Sequence, residues 1–274
     1  MTVVAQDIGL SLPEASVRVD APVAGTVKSV ARAFRALEYV ATRRDGASAK
    51  EIAAHLDIAL PSTYHLLATL VESGYLVHLA NNARFGLGYQ IRVLEQGLTH
   101  QLEVPKAIQD AIGHLHAEAD AAAYYAVYRE TEVVLAHVVD SDRRPRVRVL
   151  EVGFHEATHA TAFGKVMLAA MTVQQRQEYI RRVGLRACTG KTITDPDALE
   201  QHLAHVRESG IALEIGEFQD RIACMAAPVR TPAGEVVASV AISFPKALFA
   251  KHRWDLERAV RHGALVANRA LSAR

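Results

Sequence analysis

The chain has 274 residues, room for two domains of ordinary size. Half of it is hydrophobic and 22% is charged, the balance of a folded water-soluble protein, and no apolar run reaches the roughly 20 residues that a bilayer span needs. A net charge of +1 excludes a polyelectrolyte, and two cysteines, Cys188 and Cys224, exclude a disulfide framework.

Residues 1–24 show no sustained period and read as an arm. Nothing there resembles a basic segment followed by an apolar one, so we expect no signal peptide and a cytoplasmic protein with reduced thiols. Val30, Phe34, Leu37 and Val40 then recur at helical spacing up to Asp45-Gly46. Ser48-x-x-Glu51 is a capping box, in which the two side chains satisfy each other's free amides, and it opens a second helix. Asp57–Leu60 forms a turn, and Pro61 starts a third helix where its missing N–H costs nothing. On that helix Leu66, Leu67, Leu70 and Val71 face inward, leaving Ser62, Thr63, His65 and Thr69 outward. Gly74 ends it, and residues 75–79 and 84–87 alternate as a hairpin around Asn81-Asn82. Two helices joined by a tight turn and followed by such a hairpin are a winged helix-turn-helix, a unit that lays its last helix in the DNA major groove.

Residues 89–102 read as a connecting helix, and Pro105 opens another to about residue 119. Strands are expected at 122–129, 132–139, 146–152, 211–217, 221–230 and 235–244. Helices are expected at 161–171, 174–183, 195–208 and 246–272. The fold class is therefore α+β. A winged domain at 25–88 is followed by a linker helix at 89–104 and by a second domain at 105–274 built on a mainly antiparallel sheet.

Several segments in this order resemble the IclR family of bacterial transcriptional regulators. In the first domain they are Ser29-Val30-x-Arg32-Ala33, Glu51-Ile52-Ala53, Pro61-Ser62-Thr63 with Leu67 and Leu70, and Gly74-Tyr75-Leu76 with Gly86-Leu87-Gly88. In the second they are His159-Ala160, Gly164-Lys165 with Leu168-Ala169, Thr192-Ile193-Thr194, Ala226-Ala227-Pro228-Val229, and Gly234-Glu235-Val236-Val237 running to Ile242-Ser243-x-Pro245. The resemblance spans about residues 26–272. It implies a GAF-like effector domain and assembly as a homodimer or a dimer of dimers.

The DNA-facing chemistry is expected on the third helix. Ser62, Thr63, Tyr64 and His65 occupy its first turn, where base edges and phosphates come within reach. Tyr64 reads equally well as a core residue. Lys50 at the start of the preceding helix, and Asn82 and Arg84 at the wing, are expected phosphate contacts. Lys28, Arg32, Arg35, Arg43 and Arg44 add local positive charge.

For the effector, the resemblance implies a pocket of Ala162, Phe163, Glu214, Cys224, Ala241 and Ser243. Amides at the start of the helix at 161–171 favour a carboxylate. Phe163 and Ala241 stand where relatives binding small keto-acids carry smaller or more polar groups, which points to a larger, more apolar acid, aromatic ones included. Arg148 pairs with such an acid if it turns inward; the neighbouring Arg143, Arg144 and Arg146 favour a solvated basic edge. The histidine pairs 114/116 and 155/159 lack the partners a metal site needs, so no metal or other cofactor is expected. No complete catalytic set is visible. The expected function is a ligand-responsive DNA-binding regulator of a catabolic operon, a repressor rather than an activator. The alternatives are a constitutive DNA binder and a catabolic enzyme with an incidental N-terminal module.

Overall fold

The structure is a computed structural model that describes residues 27–79, 83–129 and 132–272. The chain forms two compact units, the first ending at Gly97 and the second beginning at Leu98.

The first unit opens with α1 (Lys28–Ala41), α2 (Ala49–Leu56) and α3 (Leu60–Glu72). The capping box forms as the sequence predicts: Glu51 N–H donates to Ser48 Oγ at 3.3 Å, and Ser48 N–H donates to Glu51 Oε2 at 2.7 Å. Asp57 turns the chain between α2 and α3 in the left-handed region (φ 52°). α3 begins at Leu60, one residue before Pro61, which sits in the first turn without breaking a hydrogen bond. β2 (Leu76–Leu79) and β3 (Arg84–Leu87) form the hairpin. A two-residue strand absent from the sequence reading, β1 (Ala47–Ser48), adds to its edge in the order β1-β3-β2. Residues 80–82, where the Asn-Asn turn is expected, lie outside the described residues. Ala36, Val40, Ile52, Leu56, Leu67, Leu70, Leu76 and Phe85 make the core. α4 (Gln90–Gln101) follows and buries none of its residues.

In the second unit α5 (Lys106–Ala119) leads into β4 (Ala122–Arg129) and β5 (Glu132–Val139). Then come α6 (Ala162–Ala170), α7 (Val173–Val183), α8 (Pro196–Ser209), β6 (Ala212–Ile215), β7 (Ile222–Arg230), β8 (Val236–Pro245) and α9 (Phe249–Ser272). The five strands are ordered β5-β4-β8-β7-β6, and every pair is antiparallel. Both faces are covered, and the period-2 alternation of a strand divides the residues between them. Tyr125, Met225, Val240 and Ile242 pack with Ile108, Ile112 and Leu115 of α5 and Leu256 and Val260 of α9. Tyr124, Leu135, Cys224 and Ala241 pack on the other face with Phe163, Met167 and Leu168 of α6 and Leu199 and Leu203 of α8.

One expected strand is absent. Residues 146–152 form turns rather than a strand. Asp140 accepts the backbone N–H of Arg146 at 3.1 Å and pairs with its guanidinium, while Ser141 and Arg144 exchange backbone bonds just before Pro145. These local bonds satisfy the backbone groups that a strand would offer to a neighbour.

Candidate functional site

α3 offers one polar face. Ser62, Tyr64, His65 and Thr69 are exposed or half-exposed, while Leu67 and Leu70 are buried beneath them. Tyr64 keeps 54% of its surface open, so it belongs to the outer face rather than the core. Thr63 corrects the sequence reading. It is 0% exposed, and its hydroxyl donates to the Ala59 carbonyl at 3.2 Å, one turn back at the helix start. A side chain held inside the helix-turn-helix core does not reach a phosphate; position 63 shares the inward stripe with Leu67 and Leu70 at the i, i+4, i+7 spacing.

Lys50 is exposed on α2. Arg84 is half-buried and makes bonds within the domain that the sequence reading did not expect. Its guanidinium donates to the Gly46 carbonyl at 3.0 Å and pairs with Glu51 at 3.0 Å, tying the hairpin to the capping box. Hydrogen bonds from Ser48, together with Arg84, hold the Glu51 carboxyl down at about 2. Asn82 lies outside the described residues.

In the second unit Ala162, Phe163, Glu214, Cys224, Ala241 and Ser243 are all buried. Strand pairing brings three of them into one row: Glu214 lies opposite Cys224, and Cys224 opposite Ser243. Tyr124 OH is hydrogen-bonded to Ser243 Oγ at 2.8 Å and accepts the Val147 N–H at 3.3 Å. Glu214 Oε1 accepts the N–H groups of Glu217 and Phe218, and its Oε2 is buried with no hydrogen-bond partner among the described residues. Burial lifts the Glu214 carboxyl above its ordinary range and raises the Cys224 thiol further. Beside them Lys165, 0% exposed, is ion-paired with Glu217, and burial pulls its ammonium below the usual lysine value.

α6 begins at this row. Thr161 caps it by accepting the Gly164 N–H at 3.3 Å. A Cβ at Gly164 would stand 2.0 Å from the Thr158 carbonyl, so the helix start approaches the preceding turn as only glycine allows. Phe163 meets Phe154 edge-on at 6.3 Å between ring centroids, and Phe154 meets Phe218 at 5.6 Å. The layer is thus aromatic and aliphatic around a few polar atoms.

Arg148 is exposed on the 146–152 turns and does not join the row, because the strand that would have aimed it inward does not form. Sequence reasoning missed Tyr124, Lys165, Glu217, Phe154 and Phe218. Lys165 carried a signal, since a lysine in the apolar run Ala162–Ala169 must find a partner when the run is buried. Tyr124 and Glu217 are joined to the row only by strand register and a loop. Clefts open elsewhere in this unit, of about 410 Å³ along β6, about 690 Å³ beside α7 and about 370 Å³ between α6 and the β7–β8 turn, and none of the six predicted pocket residues lines any of them. Among the described residues no three His, Cys, Asp or Glu side chains are grouped to hold a metal ion, and no helix is long and apolar enough to cross a membrane.

Residues 96–268 match the model of the bacterial transcriptional regulator IclR C-terminal domain, and residues 29–80 match the IclR helix-turn-helix domain. The chain belongs to the IclR family. It is 24% identical over 239 residues to the HTH-type transcriptional regulator KdgR of Escherichia coli K12, covering 87% of this chain and 90% of that one. It is 23% identical over 227 residues to the transcriptional repressor IclR of the same organism, covering 82% of each. The crystal structure of a transcriptional regulator from Rhodococcus sp. RHA1 superposes with a TM-score of 0.69 at 25% identity, covering 89% of this chain and 98% of that one. An IclR homologue from Microbacterium hydrocarbonoxydans, complexed with 4-hydroxybenzoate, superposes with a TM-score of 0.68 at 20% identity, covering 90% of this chain and all of that one. As an IclR-family member the chain is a DNA-binding transcription regulator and not an enzyme, with α3 as the helix of its helix-turn-helix that follows the turn.

Proposed function

We propose that this IclR-family regulator represses a catabolic operon and that a small organic acid with an apolar or aromatic body controls its grip on the operator. The observation that carries the reading is the buried row Glu214–Cys224–Ser243, with Tyr124 on Ser243 and an unpartnered oxygen on Glu214 among the described residues. Buried polar atoms cost free energy unless they are bonded, so a row with spare hydrogen-bonding capacity beside a helix start suits a ligand that completes it. The amides of Ala162 and Phe163 at the start of α6 would take the carboxylate, and the Phe163, Phe154 and Phe218 rings would wall the apolar body. The 4-hydroxybenzoate bound by the Microbacterium homologue has this chemistry.

On the DNA side, Ser62, Tyr64 and His65 present the reading face, and Lys50 a phosphate contact. One winged unit covers one half-site, so two copies are expected on a near-palindromic operator. Val30 and Phe34 on α1 and Val93, Leu94 and Leu98 on α4 are large, apolar and exposed, and supply a seam for that pairing. Calorimetric titration of the full chain with a panel of aliphatic and aromatic carboxylates tests the effector claim. Binding that Ser243→Ala weakens about tenfold supports it; absence of binding, or indifference to that substitution, removes it.

A further inference from the structure

β6 is the edge of the five-stranded sheet, and a cleft of about 410 Å³ runs along it between α8 and the start of α9. Its floor is apolar: Val206, Ile211, Leu213, Ile215 and Met225. Its rim carries Lys191, His202, His205 and Arg253, and the acids that reach it are Glu217 and Glu257. Both acids are already neutralised, Glu217 by the buried Lys165 and Glu257 by Arg261. Among the described residues neither Lys191 nor Arg253 has a carboxylate within ion-pair distance. Arg253 instead lies over the rings of Trp254, at 5.1 Å, and Phe249, at 5.8 Å. Lys246 stands against Lys191, and that neighbour pulls its ammonium below the usual value, with the charge of Asp220 opposing the shift. His202 turns a buried Nε2 with no hydrogen-bond partner among the described residues into the same wall.

Lys191 and Arg253 line the same cleft and Lys246 stands against Lys191; like charges gathered this way repel one another, and an anion among them relieves that repulsion. Isolated surface lysines spread apart at no cost. Here Lys191 and Arg253 share one concavity whose floor is hydrophobic, Lys246 adds its charge beside Lys191 without lining the cleft, and an orphan ring nitrogen adds a donor or an acceptor. A monocarboxylate balances the charge of one cation; a dianion balances two and leaves its carbon body for the floor. We propose that this cleft is a second ligand site, separate from the buried row, and that it takes a small organic dianion, a phosphomonoester or a dicarboxylate. The two sites meet at Glu217, which lines the cleft and holds Lys165 beneath the row.

The test is calorimetry of the full chain with phenyl phosphate and with succinate, benzoate serving as the monoanion. The Lys191→Gln/Lys246→Gln double variant changes an exposed and a half-exposed surface group and is expected to fold; Arg253→Gln is a second, independent change. Binding of phenyl phosphate, of succinate or of both, weakened at least tenfold by the double variant and by Arg253→Gln but unchanged by Ser243→Ala, establishes the site, and the dianion that binds identifies its source. Overturning results are that neither dianion binds, that binding survives both cleft variants, that benzoate binds equally well and with the same dependence on Lys191 and Lys246, or that Ser243→Ala alone abolishes dianion binding. Failure of the carboxylate panel at the buried row leaves this outcome untouched, because that row is probed by Ser243 and the cleft by Lys191, Lys246 and Arg253.

Discussion

The reading face of α3 and the polar row beneath α6 solve opposite problems. Ser62, Tyr64 and His65, proposed to meet DNA, stand in water, so they cost the free protein almost nothing. Glu214, Cys224, Ser243, Tyr124 and Lys165 have been taken out of water, and each must be bonded, neutralised or left wanting. An exposed site is free to be read by any DNA that fits. A buried one constrains the fold around it, and a ligand that completes its bonds changes the stability of that fold. Where bonding is incomplete and already costly, the proposed effector has the most to gain.

The largest expected effect breaks the buried side of the comparison. Lys165→Met leaves Glu217 inside the protein without its cation, and removing one member of a buried pair costs about 3–5 kcal/mol. Urea unfolding should show that loss in the second unit, and Lys165→Met/Glu217→Leu should recover much of it. A single variant as stable as the wild type would mean that the pair is not ionised in the folded protein.

The exposed side is tested by Ser62→Ala/His65→Ala, which should fold with unchanged stability and weaken operator binding by about 1–3 kcal/mol for each base or phosphate bond removed. Thr63 sharpens the contrast on the same helix. Thr63→Val removes a hydroxyl bonded only to the Ala59 carbonyl, so it should cost about 0.5–1.5 kcal/mol of stability and leave operator affinity within about twofold. If Thr63→Val instead weakens DNA binding while keeping its melting temperature, the assignment of the two faces is inverted.

A further effect concerns pH. Burial and the charges of Lys165 and His205 depress the His202 pKa to about 4 from an ordinary 6.5. The folded form therefore binds fewer protons than the unfolded chain, so the associated stability is present above pH 6.5 and lost as pH falls towards 4. Melting curves of wild type and His202→Gln should diverge across that window, with the wild type losing more; parallel curves would place His202 in water.

Much of the first unit was legible because its signals are local. Capping box, proline, glycine and helical period fall within a few residues of what they specify; among the described residues the two-residue β1, the inward turn of Thr63 and the partners of Arg84 escaped. Thr63 is polar by type and apolar by position, and its hydroxyl is satisfied by the turn before it, which no reading by residue type detects. The second unit was legible as alternation, strand by strand, except where Asp140 and Pro145 divert residues 146–152 into turns and carry Arg148 outward. The buried row depends on register between strands far apart in sequence: Tyr124 and Ser243 are separated by 119 positions. The partners of Arg84 escaped for the same reason, since the Gly46 carbonyl that accepts from its guanidinium lies 38 residues away.

The central claim is that ligand and operator bias one equilibrium. Fluorescence anisotropy of a labelled operator duplex, selected from random DNA and titrated with full chain in the presence and absence of a carboxylate that calorimetry shows to bind, measures it directly. Operator affinity should shift by about 5- to 150-fold, acid affinity should shift equally when operator is present, and both shifts should be lost in Ser243→Ala. Operator affinity that stays the same at saturating acid would contradict it.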